Sequence, residues 1–340
     1  MIAGRRIEVK EGGVRLDAAL LHAFTSSTRA FVRDAVERGD VLVDGRRAAK
    51  GLKLRGGERI DVSELLEKSD NLVKPEPAMS RGAISPSPSG DGIRGDPAPN
   101  PCLPLFADDA LLAFDKPAGM PVQPLTCRET GTLMNAVAAA YPECRALGAD
   151  LAALGENPLM AGALHRIDAD TSGLVLVART INAFSALRAQ FEEQSVEKTY
   201  LALVEGEVAA GGTLENDLVH DPTLPFCRMI DAHHNRLTRA QCARLRPLHA
   251  VTQFVPRGRI QVESETRTLL EVTIYTGVTH QIRAQLALAG MHIVNDRLYG
   301  AFAVEGQTGH CLHAFAARFR HPVSNEPLTI RTPLPAWAAI

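Results

Sequence analysis

The sequence contains few aromatic residues, no long apolar run and no paired-cysteine motif. Phe, Trp and Tyr make up 5% of the 340 residues, with a single Trp. No stretch approaches the roughly eighteen uncharged apolar residues that a membrane-spanning helix needs. The opening residues also lack the apolar segment of a signal peptide. We therefore expect a cytoplasmic protein that does not interact with membranes.

The six cysteines are scattered along the chain, and none belongs to a Cys-x-x-Cys pair. In a protein without secretion signals this pattern predicts free thiols. His310 and His313 flank Cys311 in one short stretch, but a structural zinc site needs a second group of ligands. We predict no metal site.

The charge of the chain is nearly balanced overall but unevenly distributed. The net charge is -2, whereas residues 1–62 contain 13 Lys and Arg against 9 Asp and Glu. A small basic region suits local attraction to a polyanion such as RNA. The same charges would also suit an ordinary solvated surface. The length of the chain allows two domains with a sizeable core.

One segment separates the chain into two parts. Residues 69–101 contain seven Pro, four Gly and five Ser and no aromatic residue. Such a composition buries too little apolar surface to offset the entropy of ordering. We predict a disordered linker at residues 66–102, between an N-terminal domain at residues 1–65 and a larger domain at residues 103–340.

The N-terminal part has the pattern of two short helices. Leu16, Leu20 and Phe24 are spaced as on one helical face. Hydroxyl residues then precede a second helical pattern, which ends at Gly39.

Short strands follow the two helices. Val41 and Val43 alternate into an Asp44-Gly45 turn, and residues 52–62 predict another short strand pair. This layout resembles the S4 RNA-binding domain. Its cations group around the second helix and the turn, at Arg29, Arg33, Arg46, Arg47 and Lys50.

The larger part begins with a strand that stops at Lys116. The following Pro117-Ala118-Gly119 marks a sharp turn. We interpret Lys116 as a solvated strand end, with a phosphate contact as the alternative.

The stretch HRIDADTSG, residues 165–173, is rich in charge and ends at a glycine. The apolar run after it predicts a buried strand, and residues 180–194 predict a helix. Asp168 therefore lies in a loop just before a strand, where reacting residues are often found. Taken alone, the stretch fits equally well with turn-capping aspartates and a surface ion pair of Arg166.

Three later blocks change this interpretation. EKTYLALVEG predicts a strand with Tyr200 near its start, and TIYTGVTHQIRAQL predicts a strand, a turn and a helix with Arg283. CLHAFAARFRHP follows near the end. In this order, the four blocks resemble the RluA-type RNA pseudouridine synthases over most of residues 105–336. An S4-like domain before them fits an architecture of that family.

The resemblance implies a role for four residues. Asp168 would be the catalytic aspartate, and Arg283 would pair with it. Arg166 would help to displace the target uridine and take its place in the RNA stack. Tyr200 would pack against the flipped base.

Other positions of these blocks are given lesser roles or depart from the family pattern. The resemblance implies an orienting hydrogen bond for His165 and a turn or capping role for Asp170. Val278 replaces a usual arginine, Gln285 a common histidine and Asn295 a glycine. The loss of a cation at Val278 bears on which RNA is bound and how strongly.

The implied reaction explains the residue types. Conversion of uridine to pseudouridine breaks the bond between ribose C1′ and base N1 and forms one to C5, without net oxidation or reduction, so no cofactor is expected. A carboxylate can start the exchange if it stays ionised, and a guanidinium favours that form. The base must first leave its helix, and this step costs free energy. Stacking of the base on an aromatic ring, and a side chain that fills the vacated space in the RNA, partly offset the cost.

We therefore expect an α+β fold with a mixed, largely antiparallel sheet, and helices and loops around a cleft, joined to the small S4-like module. The expected partner is RNA, with ribosomal RNA favoured over transfer RNA, and the protein is expected to be a monomer. Two rival functions remain open from the residues alone. Asp168 and Asp170 could form the carboxylate pair of a glycoside hydrolase, or the chain could be a non-catalytic RNA-binding or ribosome-assembly protein.

Overall fold

The chain divides into two units, residues 1–86 with 219–230 and residues 87–218 with 231–340. Among the described residues, no helix is long and apolar enough to cross a membrane. The computed structural model describes residues 6–8, 15–23, 32, 35–36, 39–48, 52–62, 93, 95, 103–224, 227–233, 237–238, 244–262, 265–304 and 306–339.

The N-terminal unit is built on a small antiparallel sheet with the strand order β1-β4-β2-β3. Leu20 and Ile60 are fully buried in its core. Asp44 and Gly45 have φ values of 49° and 75°, as the predicted two-residue hairpin turn requires. The elements are β1 (Arg6–Glu8), α1 (Leu16–Ala23), β2 (Val41–Val43), β3 (Arg46–Arg47) and β4 (Arg59–Val62).

The strand pair predicted for residues 52–62 is wrong in its first half. Only β4 is a strand, whereas Lys53 forms one isolated bridge with Arg15. The Glu58 carboxylate accepts hydrogen bonds from the N–H groups of Arg55 and Gly56, at 2.6 and 2.7 Å. These bonds favour a side-chain-stabilised loop over a second strand.

Two of the predicted N-terminal features lie largely outside the described residues. Within the second predicted helix, Val32, Ala35 and Val36 are described, and all three are helical and buried. Phe24 lies outside the described residues.

The predicted linker at residues 66–102 is described only at Ile93 and Gly95, and its other residues lie outside the described part. Ile93 is 1% exposed in the core of the larger unit. A Cβ atom on Gly95 would lie 3.2 Å from Cα of Ala139. At these two positions the segment packs against the larger unit.

The larger unit contains a mixed sheet in which the order of strands is β9-β11-β12-β8-β13-β7-β6-β5, with β14 paired to β13. Neighbouring strands in this order are antiparallel, except that β13 and β7 run parallel. The prediction of an α+β fold with a largely antiparallel sheet is confirmed. The strands after residue 103 are β5 (Phe106–Ala107), β6 (Leu111–Lys116), β7 (Ser172–Ala178), β8 (Glu197–Glu205), β9 (Gly212–His220), β10 (Met229–Asp231), β11 (Leu248–Val262), β12 (Glu265–Ile274), β13 (Leu312–Arg320) and β14 (Pro327–Arg331), of which β9 and β10 each include residues assigned to both units.

Helices accompany this sheet. Thr180 caps the predicted helix after β7, and Phe184 and Leu187 are buried as their spacing predicts. The helices are α2 (Leu133–Ala140), α3 (Pro142–Ala153), α4 (Ile181–Glu192) and α5 (Gln281–Leu288), with short 3₁₀ helices at Pro158–Met160, Arg297–Tyr299 and Ala336–Ala338.

A glycine allows β7 and β13 to approach each other at the start of β7. Gly173 has a φ of 111°, and a Cβ atom there would lie 2.3 Å from the carbonyl oxygen of Ala314. Glycine is therefore required where the two strands pair in parallel. The loop that contains Asp168 ends at this point.

Candidate active site

Asp168 lies in the loop that precedes β7. Its backbone carbonyl accepts a hydrogen bond from the N–H of Thr171 at 3.1 Å, which closes a turn. Its side chain is 26% exposed, and Oδ2 lies 2.7 Å from Nη1 of Arg283. The contact between Asp168 and Arg283 that the resemblance implies is therefore present.

Arg283 projects from α5 and is held by a second carboxylate. Its Nε and Nη2 atoms donate to Oδ2 and Oδ1 of Asp296, at 2.7 and 2.8 Å. The side chain of Asp296 is 2% exposed, and the guanidinium lies 5.1 Å from the centre of the Tyr299 ring. This two-point contact fixes the guanidinium plane, so that Nη1 faces Asp168.

Asp296 was not among the residues predicted from the sequence. Asp296 lies in the stretch VNDRLYG, residues 294–300, whose pattern is part of the resemblance. This position in the motif is the sequence feature that could have identified it.

The charges around Asp168 favour its ionised form. Burial acts to raise the pKa of this carboxyl, but His280 and Arg283 outweigh burial and hold the pKa below its usual range. Burial likewise opposes charge on Arg283, yet the hydrogen bonds and charges of Asp296 and Asp168 raise its pKa above the usual value. At neutral pH the site holds a carboxylate and a guanidinium.

Tyr200 lies beside this pair on β8. It is opposite Val272 on one neighbouring strand and Ala314 on the other, and it is 8% exposed. Burial and the negative charge of Asp168 both raise the pKa of the phenol. Tyr200 is thus a neutral aromatic group close to the carboxylate.

Arg166 is exposed on the Asp168 loop. Within the described part of the chain, neither a hydrogen bond nor an ion pair connects Arg166 to another residue. The structure therefore brings Asp168, Tyr200 and Arg283 together and leaves Arg166 extended from the same loop into solvent.

The interpretation of Lys116 as a solvated strand end is wrong. The residue is fully buried, and its Nζ donates to the carbonyl oxygens of Pro117, Met120 and Ala169 at 2.9, 2.7 and 2.8 Å. Burial lowers the pKa of Lys116 to about 8. Because Ala169 follows Asp168 directly, Lys116 fixes the position of the Asp168 loop.

His165 connects the same loop to the sheet. Its Nε2 accepts a hydrogen bond from the N–H of Leu176 at 3.1 Å, and its ring stacks on Phe191 with centroids 5.3 Å apart. Burial lowers the pKa of His165 to about 3, so the ring is neutral.

Asp170 is exposed in the turn after Asp168. Its backbone oxygen would lie 2.5 Å from a Cβ atom on Gly309, so the turn packs closely against the loop before β13.

The two histidines near the chain end are structural partners of this loop. His310 Nε2 lies 2.7 Å from Oγ1 of Thr171, and His313 Nδ1 lies 2.8 Å from Oγ of Ser172. Burial lowers the pKa of both rings to about 4. In the described part of the chain, no three His, Cys, Asp or Glu side chains are placed to hold a metal ion. None of the described cysteines, which are Cys127, Cys144, Cys227 and Cys311, forms a disulfide with another described residue.

Comparison with known proteins identifies the family. A family model described as RNA pseudouridylate synthase matches residues 110–288, and one described as S4 domain matches residues 14–60. The chain belongs to the RNA pseudouridylate synthase family. It is an isomerase that converts uridine in RNA to pseudouridine, and neither glycoside hydrolysis nor RNA binding without catalysis is the activity of this family.

Relatives of known name span nearly the whole synthase. It is 32% identical to ribosomal large subunit pseudouridine synthase D of Xanthomonas campestris, covering 95% of this chain and 86% of the relative. It is 29% identical to the protein of the same name in Neisseria meningitidis, covering 98% and 79%. The solved structure of human RNA pseudouridylate synthase domain containing 1 has a TM-score of 0.52 at 20% identity, covering 73% of this chain and 86% of that one, and shares its fold.

Two of the three departures from the family pattern have structural roles in this synthase. Gln285 is buried, accepts from Oγ1 of Thr252 at 2.7 Å and donates to the carbonyl of Ala250 at 3.0 Å. Asn295 has a φ of 65°, which asparagine tolerates better than most residues, and donates to the carbonyl of Gly309 at 2.6 Å. Nothing in the structure explains Val278.

Proposed function

We propose that this synthase modifies a uridine of ribosomal RNA and that Asp168 is its catalytic residue. The names of the relatives in Xanthomonas campestris and Neisseria meningitidis support ribosomal RNA as the substrate. We also infer a cytoplasmic enzyme, because ribosomal RNA is its proposed substrate, and a monomer, because Asp168, Arg283 and Asp296 make their contacts within one chain. Transfer RNA is the alternative substrate.

The observation that carries the role of Asp168 is its contact with Arg283 beside Tyr200. A carboxylate that is only partly exposed would ordinarily resist ionisation, but the guanidinium at 2.7 Å favours its charged form. Asp168 is therefore a nucleophile or base that needs no activation at neutral pH. Buried Asp296 supports this arrangement because it orients Arg283.

The net reaction breaks the bond from C1′ to N1 and forms the bond from C1′ to C5, while the proton leaves C5 and N1 gains one. Asp168 starts this exchange by attack on the sugar, attack on the base or removal of a ribose proton. The three routes share one requirement, an ionised carboxylate next to the nucleoside. No cofactor takes part in any of them.

Tyr200 and Arg166 serve the flipped uridine. A base taken out of its helix loses stacking, at a cost of a few kcal/mol. The ring of Tyr200, neutral and adjacent to Asp168, offers a surface for the flipped base. Arg166 extends from the same loop without a protein partner among the described residues, so its guanidinium is available to fill the vacancy in the RNA.

The S4 domain supplies sequence-independent RNA contacts. We propose that residues 1–65 form this domain, that residues 66–102 form a linker and that residues 103–340 form the catalytic domain. Arg46 and Arg47 are exposed on β3, and Arg55 is exposed in the loop before β4. These cations suit contacts with phosphates, which fix orientation and provide affinity.

Mapping of pseudouridines in total RNA tests the proposal. Cells without the protein should lack at least one pseudouridine of ribosomal RNA, and the wild-type gene but not the Asp168→Asn variant should restore it. Loss confined to transfer RNA would overturn the ribosomal substrate. Restoration by the variant would overturn the role of Asp168.

A further inference from the structure

His280 occupies an unusual backbone position at the edge of the active site. It precedes α5 with φ 51° and ψ 20°, and its side chain makes no capping hydrogen bond to the helix. A residue other than glycine rarely adopts this left-handed conformation. Where one does, the strain is often retained for function.

The two ring nitrogens of His280 face two different partners. Nε2 lies 3.7 Å from Oδ2 of Asp168, and Nδ1 lies 3.2 Å from the hydroxyl of Tyr299. The Tyr299 ring packs edge-on against the imidazole at 5.8 Å and also lies 5.1 Å from the Arg283 guanidinium. Tyr299 therefore supports both groups that approach the same carboxylate oxygen.

The partners indicate which nitrogen carries the proton. A lone pair on Nε2 would face the negative oxygen of Asp168, which is electrostatically unfavourable. Nε2 therefore carries an N–H that faces Asp168, whether the ring is charged or is neutral and accepts from the Tyr299 hydroxyl at Nδ1. The distance of 3.7 Å is longer than a hydrogen bond, so the contact in the free enzyme is electrostatic.

We propose that His280 is a positioning residue for Asp168, which together with Arg283 holds Oδ2 and presents Oδ1 to the nucleoside. The inference rests on the proposed catalytic role of Asp168. Arg283 alone provides one hydrogen bond to the carboxylate and leaves it free to rotate about that bond. A second positive dipole on the same oxygen restricts this rotation and favours one orientation of the reacting atom.

Two amide variants distinguish the roles of the two ring nitrogens of His280. In His280→Gln the amide nitrogen can reach the place of Nε2 and donate toward Asp168, whereas in His280→Asn it reaches only the place of Nδ1, next to Tyr299. The single-turnover rate constant and the RNA dissociation constant are measured for both at saturating enzyme. Because small misplacements of a reacting group are costly, we expect the rate to fall about tenfold or more for Asn and less than about threefold for Gln. RNA affinity should remain at the wild-type value in both.

A purely structural role for His280 predicts the opposite order. Asparagine tolerates the left-handed backbone better than glutamine, so the Asn variant would then be the more stable and the more active of the two. Equal losses in the two variants, or a wild-type rate for Asn, would overturn the proposal.

Two further variants complete the test. Tyr299→Phe removes the hydroxyl that orients the imidazole without changing the backbone at His280. When Tyr299→Phe is added to the wild type, the rate should fall several-fold, and when it is added to His280→Asn, the rate should hardly change. Equal losses in the two backgrounds would overturn the proposal. This comparison does not depend on whether His280→Gln folds. Asp168→Asn is the reference. If it is inactive while His280→Asn is fully active, only the present inference fails, and if it is active the proposed function fails first.

Discussion

Arg283 reaches Asp168 with one guanidinium nitrogen and is held by Asp296 through the other two. The distances are 2.7 Å to Asp168 and 2.7 and 2.8 Å to Asp296. The carboxylate of Asp296 is buried and fixes the guanidinium of Arg283, while the carboxylate of Asp168 is partly exposed and available to a substrate. The site thus separates the residue that orients the guanidinium from the residue that its charge keeps ionised.

Loss of the guanidinium should change the pH dependence of the reaction. In the wild type the pKa of Asp168 lies below its usual range, so the carboxylate stays ionised well into the acidic range. In Arg283→Met burial would no longer be opposed by this cation, and the pKa of Asp168 would rise. The activity of the variant should therefore be low at acidic pH and recover as the pH rises.

Single-turnover rates between pH 5 and pH 9 check this prediction. Arg297→Met, which changes an exposed cation on the neighbouring 3₁₀ helix, is the control and should keep the wild-type profile. Near-normal rates with a flat profile in Arg283→Met would contradict the pairing. In Arg283→Met the buried carboxylate of Asp296 loses its partner, which could destabilise the fold. Circular dichroism of each sample therefore checks that the variant is folded.

Removal of the Lys116 ammonium should destabilise the larger unit. Lys116→Met would remove three hydrogen bonds, from Nζ to the carbonyl oxygens of Pro117, Met120 and Ala169, and each such bond contributes about 0.5–1.5 kcal/mol. We expect the free energy of unfolding to fall by about 2–4 kcal/mol in urea titrations. Turnover should fall as well, because the carbonyl of Ala169, next to Asp168, loses one of its two donors and keeps only the N–H of Gly119. Arg188→Met, on the exposed face of α4, is the control, and a similarly small effect of both changes would argue against a structural role for the buried ammonium.

The pairing of β7 with β13 can be tested at a single glycine. Gly173→Ala would place a Cβ atom 2.3 Å from the Ala314 oxygen, so we expect a loss of more than about 2 kcal/mol or failure to fold. Gly206 has a φ of 84° with no atom within 4 Å of an added Cβ. Gly206→Ala therefore introduces only backbone strain, about 1 kcal/mol. Equal losses at the two positions in urea titrations would show that the close approach to β13 is unimportant.

The proposed role of the S4 domain predicts a change in the salt dependence of RNA binding. Arg46 and Arg55 are exposed, and removal of one phosphate-binding cation should reduce the slope of log K against log salt by about 0.7–0.9. We expect the double change to Gln to weaken binding and flatten this slope, while turnover on a short stem-loop stays near the wild-type value. Arg188→Gln, which removes an ion pair with Glu192, is the control. An unchanged slope in the double variant would contradict phosphate binding by this surface.

Local patterns in the sequence predicted the features that depend on neighbouring residues. The spacing of Phe184 and Leu187 predicted α4, and the Asp44-Gly45 pair predicted the hairpin turn between β2 and β3. The resemblance that the motif blocks carry implied that Asp168 and Arg283 meet, and their side chains lie 2.7 Å apart.

Features that depend on distant segments were not predictable in this way. Lys116 looked like a solvated strand end because one of its acceptors, the carbonyl of Ala169, lies 53 residues further along the chain. Asp296 was not predicted because its role depends on the position of the Arg283 guanidinium, which it holds through two hydrogen bonds. The loop closed by Glu58 replaced a strand because side-chain acceptors compete with strand pairing, which alternation in the sequence does not reveal.

The most direct test of catalysis by Asp168 is pseudouridine formation by the purified Asp168→Asn enzyme on unmodified large-subunit ribosomal RNA. The change keeps the size of the side chain and an oxygen that can accept from Arg283, so the fold and RNA affinity should stay near those of the wild type. We predict that the wild-type enzyme forms pseudouridine at a defined position and that the variant forms none above the uncatalysed rate. Turnover by the variant well above that rate would show that Asp168 is not the catalytic residue.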